Sequence, residues 1–245
     1  MSSFFSLYDA AIENITRGTV IERSVRGERW SAALGGGSLG IAMTTEGESI
    51  APMFPDELES MDIKDAAEGI KSWNLREAGL SLAAANLWYN TRERMDALGC
   101  REPFENYCTA GLDIKGKTIA AIGHLKMTEQ IHREAEKIYI IERMPQNGDY
   151  PDSACDYILP QCDIVLITGN AITNKTLPHL LSLCKNAYTI LTGPSVPMCP
   201  VLLDCGFDRL AGMVVTDSKA MLKKVEDGSG GSPYIFGESW LLKKA

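Results

Sequence analysis

The sequence predicts an α/β protein in two parts, and two observations carry this prediction. Residues 111–245 contain successive apolar runs rich in Val, Ile and Leu, namely KTIAAIG, KIYIIE, DIVLITG, AYTILTG and RLAGMVVTD. Runs without polar alternation indicate strands covered on both faces, and intervals long enough for a helix are typical of a parallel, doubly wound sheet. Residues 1–110 contain short strand-like segments separated by glycine turns, together with helical patterns. They predict an α+β domain built on an antiparallel meander.

The elements of the amino-terminal domain follow from local patterns. Apolar residues at helical spacing predict an opening helix in FFSLYDAAIENI, and VIERSV, RWSAAL and LGIAMT predict three strands with turns at residues 26–27 and 35–37. A longer helix is predicted from Leu75 to about Leu98, with Asn86 in the middle of its apolar face. An amide on an apolar face needs hydrogen-bond partners.

The segment CREPFENYCTAGLDIKG predicts the connection between the two domains, because Pro103 and Gly111 interrupt regular structure. In the carboxyl-terminal domain each apolar run predicts one strand, and DGSGGS near the end of the chain predicts a surface loop. The order is therefore a three-stranded meander with helices, followed by a five-stranded α/β domain.

Composition excludes several classes of protein. The chain has 245 residues, of which 45% are hydrophobic and 23% charged, and its formal charge is -8. Nucleic-acid and anionic-membrane surfaces need a basic footprint, so neither partner is expected. No apolar run approaches the ~18–20 residues of a membrane helix, and no basic leader precedes the first helix. With seven scattered cysteines, reduced thiols in the cytoplasm are expected. The sequence leaves homo-oligomer formation open.

The predicted ligand site lies beyond the carboxyl ends of the parallel strands, where such sheets bind ligands. The first run ends at Gly123, a candidate ligand-binding residue together with His124. The following GHLKMTEQ lacks the later glycines of a dinucleotide loop, and His124 and Met127 would hinder a pyrophosphate. Neither NAD nor FAD is therefore expected. The alternative is that Gly123 only makes a tight turn.

The next two strands end in polar residues. Glu142 occupies the position where an acid accepts hydrogen bonds from ribose hydroxyls, which also suits an S-adenosylmethionine-like ligand. The alternative is a solvated carboxylate. Gly169 permits an unusual turn, and Asn170, Thr173 and Asn174 then place more polar side chains over the sheet than one helix cap requires. These residues are candidate site residues, with capping as the alternative.

Two further glycine turns are candidates for ligand binding. Gly193, Pro194 and Ser195 form a stiff loop after the fourth run. Ser195 does not lie in a G-x-S-x-G elbow, so it is predicted to bind or orient a ligand and not to act as a nucleophile. Gly36 and Gly37 supply more glycine than a hairpin turn requires, which can mark close approach of backbone or ligand. The alternative is that they form only a hairpin turn.

No metal site made of protein ligands is predicted. Cys155 and Cys162, like Cys199 and Cys205, lack C-x-x-C spacing, and the histidines form no H-x-x-x-H pair. The thiols are therefore interpreted as small apolar core residues.

Several segments carry a resemblance to a known family. IIERMPQNGDYP, the linked ITGNAITN and GPS segments and LAGMVVTD, together with the earlier WSAALGGGSLGIAM and GLSLAAANLWYN, resemble the family described as "putative heavy-metal chelation". The resemblance implies an enolase-amino-terminal-like domain packed on a Rossmann-like, methyltransferase-like domain, with a site between them. It also implies small metal-binding compounds of the pterin, flavin or siderophore type. The implied site residues are Glu142, Asn170, Asn174, Ser195, Asn86, Gly36 and Gly37.

Three functional hypotheses follow. The first is a small-molecule enzyme or binding protein in which Glu142 is the candidate base and Asn170 and Asn174 orient carbonyl or hydroxyl groups, as in a condensation or hydrolysis. The second is a non-catalytic carrier of a metal–chelator complex. The third is an S-adenosylmethionine-dependent methyltransferase, for which Glu142 speaks. The sequence itself names no ligand, metal or reaction.

Overall fold

A computed structural model describes residues 5–54, 57–100, 109, 111–125, 127 and 129–244. The predicted α/β architecture is confirmed: a three-stranded antiparallel sheet precedes a seven-stranded, largely parallel sheet. Most of the predicted connection over residues 100–116 lies outside the described residues. The division of the chain at residue 110 stays a prediction.

The first half contains one small sheet and four α-helices among its described residues. Its elements are α1 (Ser6–Glu13), β1 (Arg23–Arg26), β2 (Trp30–Gly35), β3 (Ser38–Met43), α2 (Ile63–Ala67), a 3-10 turn (Glu68–Lys71), α3 (Leu75–Tyr89) and α4 (Arg92–Ala97). The strands pair antiparallel in the order β1-β2-β3, as the meander predicts. Gly36 and Gly37 close the β2–β3 hairpin with φ of 54° and 77°, the left-handed backbone that a two-residue hairpin turn requires.

The helix predicted from Leu75 to about Leu98 is two helices. α3 ends because Asn90 leaves helical geometry, with φ -100° and ψ 63°. The side chain of Thr91 then caps α4 by accepting a hydrogen bond from Arg94 N. The polar run 90–94 that follows the apolar stripe contains no proline or glycine, so the sequence pattern does not mark the break.

The second half contains the large sheet. Its elements are β4 (Thr118–Ile122), α5 (Glu129–Glu134), β5 (Lys137–Glu142), β6 (Tyr150–Pro151), α6 (Cys155–Ile158), β7 (Ile164–Thr168), α7 (Asn170–Thr173), α8 (Leu177–Leu183), β8 (Tyr188–Thr192), α9 (Val201–Asp204), β9 (Arg209–Val215), α10 (Ser218–Glu226) and β10 (Gly237–Lys243). Short 3-10 turns occupy Asp152–Ala154, Leu159–Gln161 and Pro233–Phe236. All five predicted strands are present, whereas β6 and β10 are additions.

The strand order of the large sheet is β10-β9-β8-β7-β4-β5-β6, and β10 is antiparallel to β9. From β4 the chain proceeds through β5 to β6 on one side, and then from β7 through β8 to β9 on the other. This reversal creates a crevice between the carboxyl ends of β4 and β7, the place where open α/β sheets bind ligands.

The two halves share one apolar core. Val165 and Ile167 on one face of the large sheet belong to the same buried cluster as Leu82 and Leu87 of α3. Leu166, whose side chain points to the opposite face, belongs to a second cluster. Gly40 allows close packing of β3 on α3, because a Cβ there would lie only 2.1 Å from Ala83 O.

The small sheet is buried on both faces. Ala33 and Ala42 face the cluster that contains α3, whereas Trp30 packs with Met221 and Val225 of α10. The first three strands therefore lie between a helix of their own half and a helix from the end of the chain. Within the described part of the chain, no helix combines the length and apolar character needed to cross a membrane.

Candidate functional site

A cavity of about 960 Å³ runs along the carboxyl ends of the parallel strands. One wall consists of Arg29, Trp30 and Met43 from the small sheet. The opposite wall and floor come from β4 to β10 and their loops, including Tyr234 in the turn before β10. The cavity thus lies over the crevice where the strand order reverses.

Some of the predicted site residues line this cavity and others do not. Those that do are Glu142, Asn170, Asn174, Gly123, His124, Gly193 and Pro194. Those that do not are Asn86, Gly36, Gly37, Gly169, Thr173 and Ser195. The ligand-binding or catalytic role of each residue stays a prediction.

The loop after β4 is held by the acid that ends β5. Glu142 Oε1 accepts a hydrogen bond from His124 N at 2.9 Å, and Oε2 accepts one from Arg143 N at 3.0 Å. Gly123 has φ 98°, so the chain turns sharply here in a conformation that favours glycine. Glu142 therefore fixes the loop as well as lining the cavity.

The imidazole of His124 lies between two carboxylates. Its Nε2 is 2.8 Å from Asp149 Oδ2, and its Nδ1 is 3.4 Å from Glu142 Oε1. Asp149 also accepts a hydrogen bond from Gln146 N at 2.7 Å, and its side chain is only 6% exposed. These contacts join the loops after β4 and β5 at one end of the cavity.

Asn174 and Asn170 place amide groups in the lining of the cavity. Asn174 Oδ1 accepts hydrogen bonds from Thr176 N at 3.1 Å and from Thr176 Oγ1 at 2.6 Å. A backbone N–H can only donate, so this contact fixes the amide orientation. Asn174 Nδ2 has no partner among the described residues. Asn170 Oδ1 accepts a hydrogen bond from Thr45 Oγ1 at 2.6 Å, which joins the segment after β3 to α7.

Three of the predicted residues outside the lining have packing contacts. Ser195 Oγ accepts a hydrogen bond from Met43 N at 2.8 Å, and the residue is buried. Thr173 is fully buried. A Cβ at Gly169 would lie 2.9 Å from Val196 N, so glycine permits close approach of the loop after β8.

The candidates from the first half lie away from the cavity wall. Asn86 Nδ2 donates to Ile41 O at 2.8 Å, which satisfies its amide donor within the shared core. Gly36 and Gly37 occupy the opposite end of the β2–β3 hairpin from the Trp30–Met43 pair that lines the cavity.

Sequence reasoning missed Asn90, which joins the two halves. Its Nδ2 donates to Val196 O at 2.8 Å and Met213 O at 3.1 Å, while its Oδ1 accepts from Met198 N at 2.9 Å. The only sequence signal was an asparagine directly after an apolar helical stripe. It also missed Arg29 and the aromatic wall, because these reach the site only through tertiary packing.

The ionisable side chains at one end of the cavity have partners. His179 Nε2 is 3.3 Å from Asp156 Oδ1, and Arg143 Nε is 3.8 Å from Asp152 Oδ2. Burial raises the pKa of the Cys155 thiol to about 11, and the negative charges of Asp152 and Asp156 contribute to the same shift. Cys155 therefore stays protonated at neutral pH and is a poor nucleophile. The described residues contain no group of three or more His, Cys, Asp or Glu side chains placed to hold a metal ion.

Comparison with known proteins assigns the family. Two family models, both described as "Putative heavy-metal chelation", match residues 109–241 and 8–89. The chain belongs to this family.

Solved structures of the family share the whole fold. A protein of unknown function from the DUF364 family of Desulfitobacterium hafniense DCB-2 is 32% identical, covers 98% of each chain and has a TM-score of 0.88. A DUF364 protein of Pyrococcus horikoshii is 22% identical, covers 97% of this chain and 98% of its own, and shares the fold with a TM-score of 0.80.

A curated relative matches only in part. An uncharacterized protein of Methanocaldococcus jannaschii is 33% identical over 114 residues, which are 43% of this chain and 44% of that protein. The match therefore spans less than half of either protein.

Proposed function

We propose that this protein binds a small, oxygen-rich organic compound of the pterin, flavin or siderophore type, and that a heavy metal is held through that compound. The observation that carries the proposal is the cavity of about 960 Å³ with Asn170 and Asn174 in its lining. Asn174 is oriented with its Nδ2 donor unpaired, so it suits a carbonyl, carboxylate or phenolate oxygen. A cavity of this size accommodates a compound of one or two fused rings.

The donors for the metal come from the bound compound in this proposal. The carboxylates and imidazoles at the polar end are already engaged: Glu142 with two backbone N–H groups, His124 with Asp149, and His179 with Asp156. If Glu142 and His124 bound a metal instead, the loops after β4 and β5 would lose the hydrogen bonds that hold them together. Donor atoms of a bound chelator can hold a metal ion without that cost.

The proposal extends to the fold family of each half of the chain. The strand order, with its reversal at β4, supports a Rossmann-like domain over residues 111–245, and the meander with α1 to α4 supports an enolase-amino-terminal-like domain over residues 1–110. The cavity is then an interdomain site. Glu142, Asn170 and Asn174 would line that site on the Rossmann-like side.

Native mass spectrometry and calorimetric titration test the proposal. Protein purified without chelators should carry an organic adduct, or should bind 2,3-dihydroxybenzoate or pterin-6-carboxylate with one site per chain. Asn174→Asp keeps the oxygen that caps Thr176 but replaces the Nδ2 donor by a carboxylate oxygen. It should weaken binding by about 10-fold or more, the value of one hydrogen bond to a charged group.

The matched control is Asn14→Asp, because Asn14 lies at the end of α1 and does not line the cavity. It should bind as the unaltered protein does. Equal affinities for Asn174→Asp and Asn14→Asp would show that the ligand lies elsewhere. A bare protein that binds neither probe would contradict the proposed ligand class.

A second candidate is an S-adenosylmethionine-dependent methyltransferase, which the position of Glu142 at the end of β5 favours. Glu142→Gln retains an oxygen acceptor for the loop and removes the charge. It should weaken S-adenosylmethionine binding, whereas Glu129→Gln on α5, outside the cavity, should not. Unchanged affinity in Glu142→Gln would remove the support for this candidate.

A further inference from the structure

The cavity has two ends of different chemistry. At the β4–β5 end lie imidazoles and carboxylates in mutual contact, such as His124 with Glu142. At the other end, the lining from the small sheet and the turn before β10 is aromatic and apolar, with Trp30, Pro233 and Tyr234. One cation, Arg29, also lines this aromatic end.

Arg29 differs from the other arginine of the cavity lining. Arg143 lies 3.8 Å from a carboxylate oxygen of Asp152. For the exposed side chain of Arg29, the described part of the chain supplies neither an ion-pair partner nor a hydrogen-bond acceptor. Its five N–H donors are thus available to a ligand, and their planar arrangement matches a carboxylate.

The backbone that carries Arg29 is fixed. Thr44 N donates to Arg29 O at 3.0 Å, and Gly27 N donates to Trp30 O at 2.9 Å within the same turn. A Cβ at Gly27 would lie 2.5 Å from Val225 O, so the turn packs tightly on α10. The turn that carries Arg29 is therefore a rigid support, and little backbone ordering is needed on binding.

We propose that Arg29 is the specificity-determining residue for a ligand with one carboxylate on a planar ring, and that the ring packs against Trp30 and Tyr234. A single cation balances a single negative charge. A phosphate dianion fits less well, because the chain carries a formal charge of -8 and the far end of the cavity is lined by carboxylates such as Glu142 and Asp156. This inference rests on the proposed function and adds the ligand's charge and its orientation.

Calorimetric titration with two pairs of probes tests the inference. Each pair differs by one carboxylate: 2,3-dihydroxybenzoate against catechol, and pterin-6-carboxylate against pterin. In the unaltered protein at least one carboxylated probe should bind about 10-fold or more tightly than its neutral partner, as expected for a charge-assisted bidentate contact. Arg29→Gln should remove that preference while leaving the affinity for the neutral probe within about 2-fold, and Arg29→Lys should restore part of it.

The matched control is Arg133→Gln, because Arg133 is an exposed arginine on α5 that does not line the cavity. It should leave all affinities unchanged. Equal binding of the carboxylated and neutral probes, or a preference that survives Arg29→Gln, overturns the role of Arg29 and leaves the proposed function standing. Absence of binding by every probe overturns both.

Discussion

Replacing Asn90 by alanine should destabilise the protein more than any other single amide substitution in the core. The change removes the hydrogen bonds to Val196 O, Met213 O and Met198 N and leaves these three buried backbone groups without their partner. An unsatisfied buried polar group costs about 1–3 kcal/mol, and such losses add only in part. We therefore expect a loss of about 3–5 kcal/mol in the free energy of unfolding.

Equilibrium unfolding in urea, analysed by linear extrapolation, measures this loss. Asn86→Ala is the matched control: it lies one turn earlier on α3, is equally buried, and gives up only the bond to Ile41 O. It should cost about 1–2 kcal/mol. A loss below about 1 kcal/mol for Asn90→Ala, or one no larger than that of Asn86→Ala, would refute the view that this amide joins the two halves.

Two further substitutions test packing and charge. Gly40→Ala places a Cβ 2.1 Å from Ala83 O, so it should lower the free energy of unfolding by about 3 kcal/mol and Tm by about 6–12 °C. The control is Gly230→Ala, which has no atom within 4 Å of its new Cβ and should change neither quantity. Equal Tm values for the two variants would contradict the close contact at Gly40. Burial lowers the pKa of Lys175 from 10.5 to about 8, and its ammonium donates a hydrogen bond to Thr173 O at 2.8 Å and lies 5.8 Å from the ring of Tyr8. Between these pH values the unfolded chain binds more protons, so stability rises with pH and the penalty is complete below about pH 8. Lys175→Met should therefore be more stable than the unaltered protein at pH 7, by up to about 2 kcal/mol, and should lose that advantage by pH 10. Urea unfolding of both proteins at the two pH values measures this difference in stability. A difference that does not depend on pH would contradict the prediction.

The sequence predicted the large sheet well because its central strands are covered on both faces. The interiors of these runs are mostly apolar, without the regular polar alternation that indicates a half-buried strand. β10 was missed because this edge strand, antiparallel to β9, begins with the polar Glu238 and Ser239 before Trp240 and lies shortly after a glycine-rich loop. The break at Asn90 was missed because no proline or glycine marks it in the polar run 90–94.

The candidate site likewise contains residues that the sequence could place and residues that it could not. Gly123, Glu142 and Asn170 could be placed from the sequence because strand ends are local features and a parallel sheet brings them to one edge. The wall formed by Arg29 and Trp30 could not, since it depends on how the small sheet packs on the large one. Periodicity also could not show which polar side chains form hydrogen bonds within the protein and which line the cavity.

The position of the small sheet between α3 and α10 has a consequence for synthesis of the chain. Arg23 on β1 forms an ion pair with Glu226 on α10 at 3.1 Å, across a separation of 203 residues. At ribosomal rates of about 5–20 residues per second, the Trp30 face of the first hairpin waits roughly 10–40 s before its covering helix has been made. During that interval an apolar surface of the nascent chain is exposed to chaperones and to neighbouring chains. Until α10 has been synthesised, only a chaperone can cover this surface.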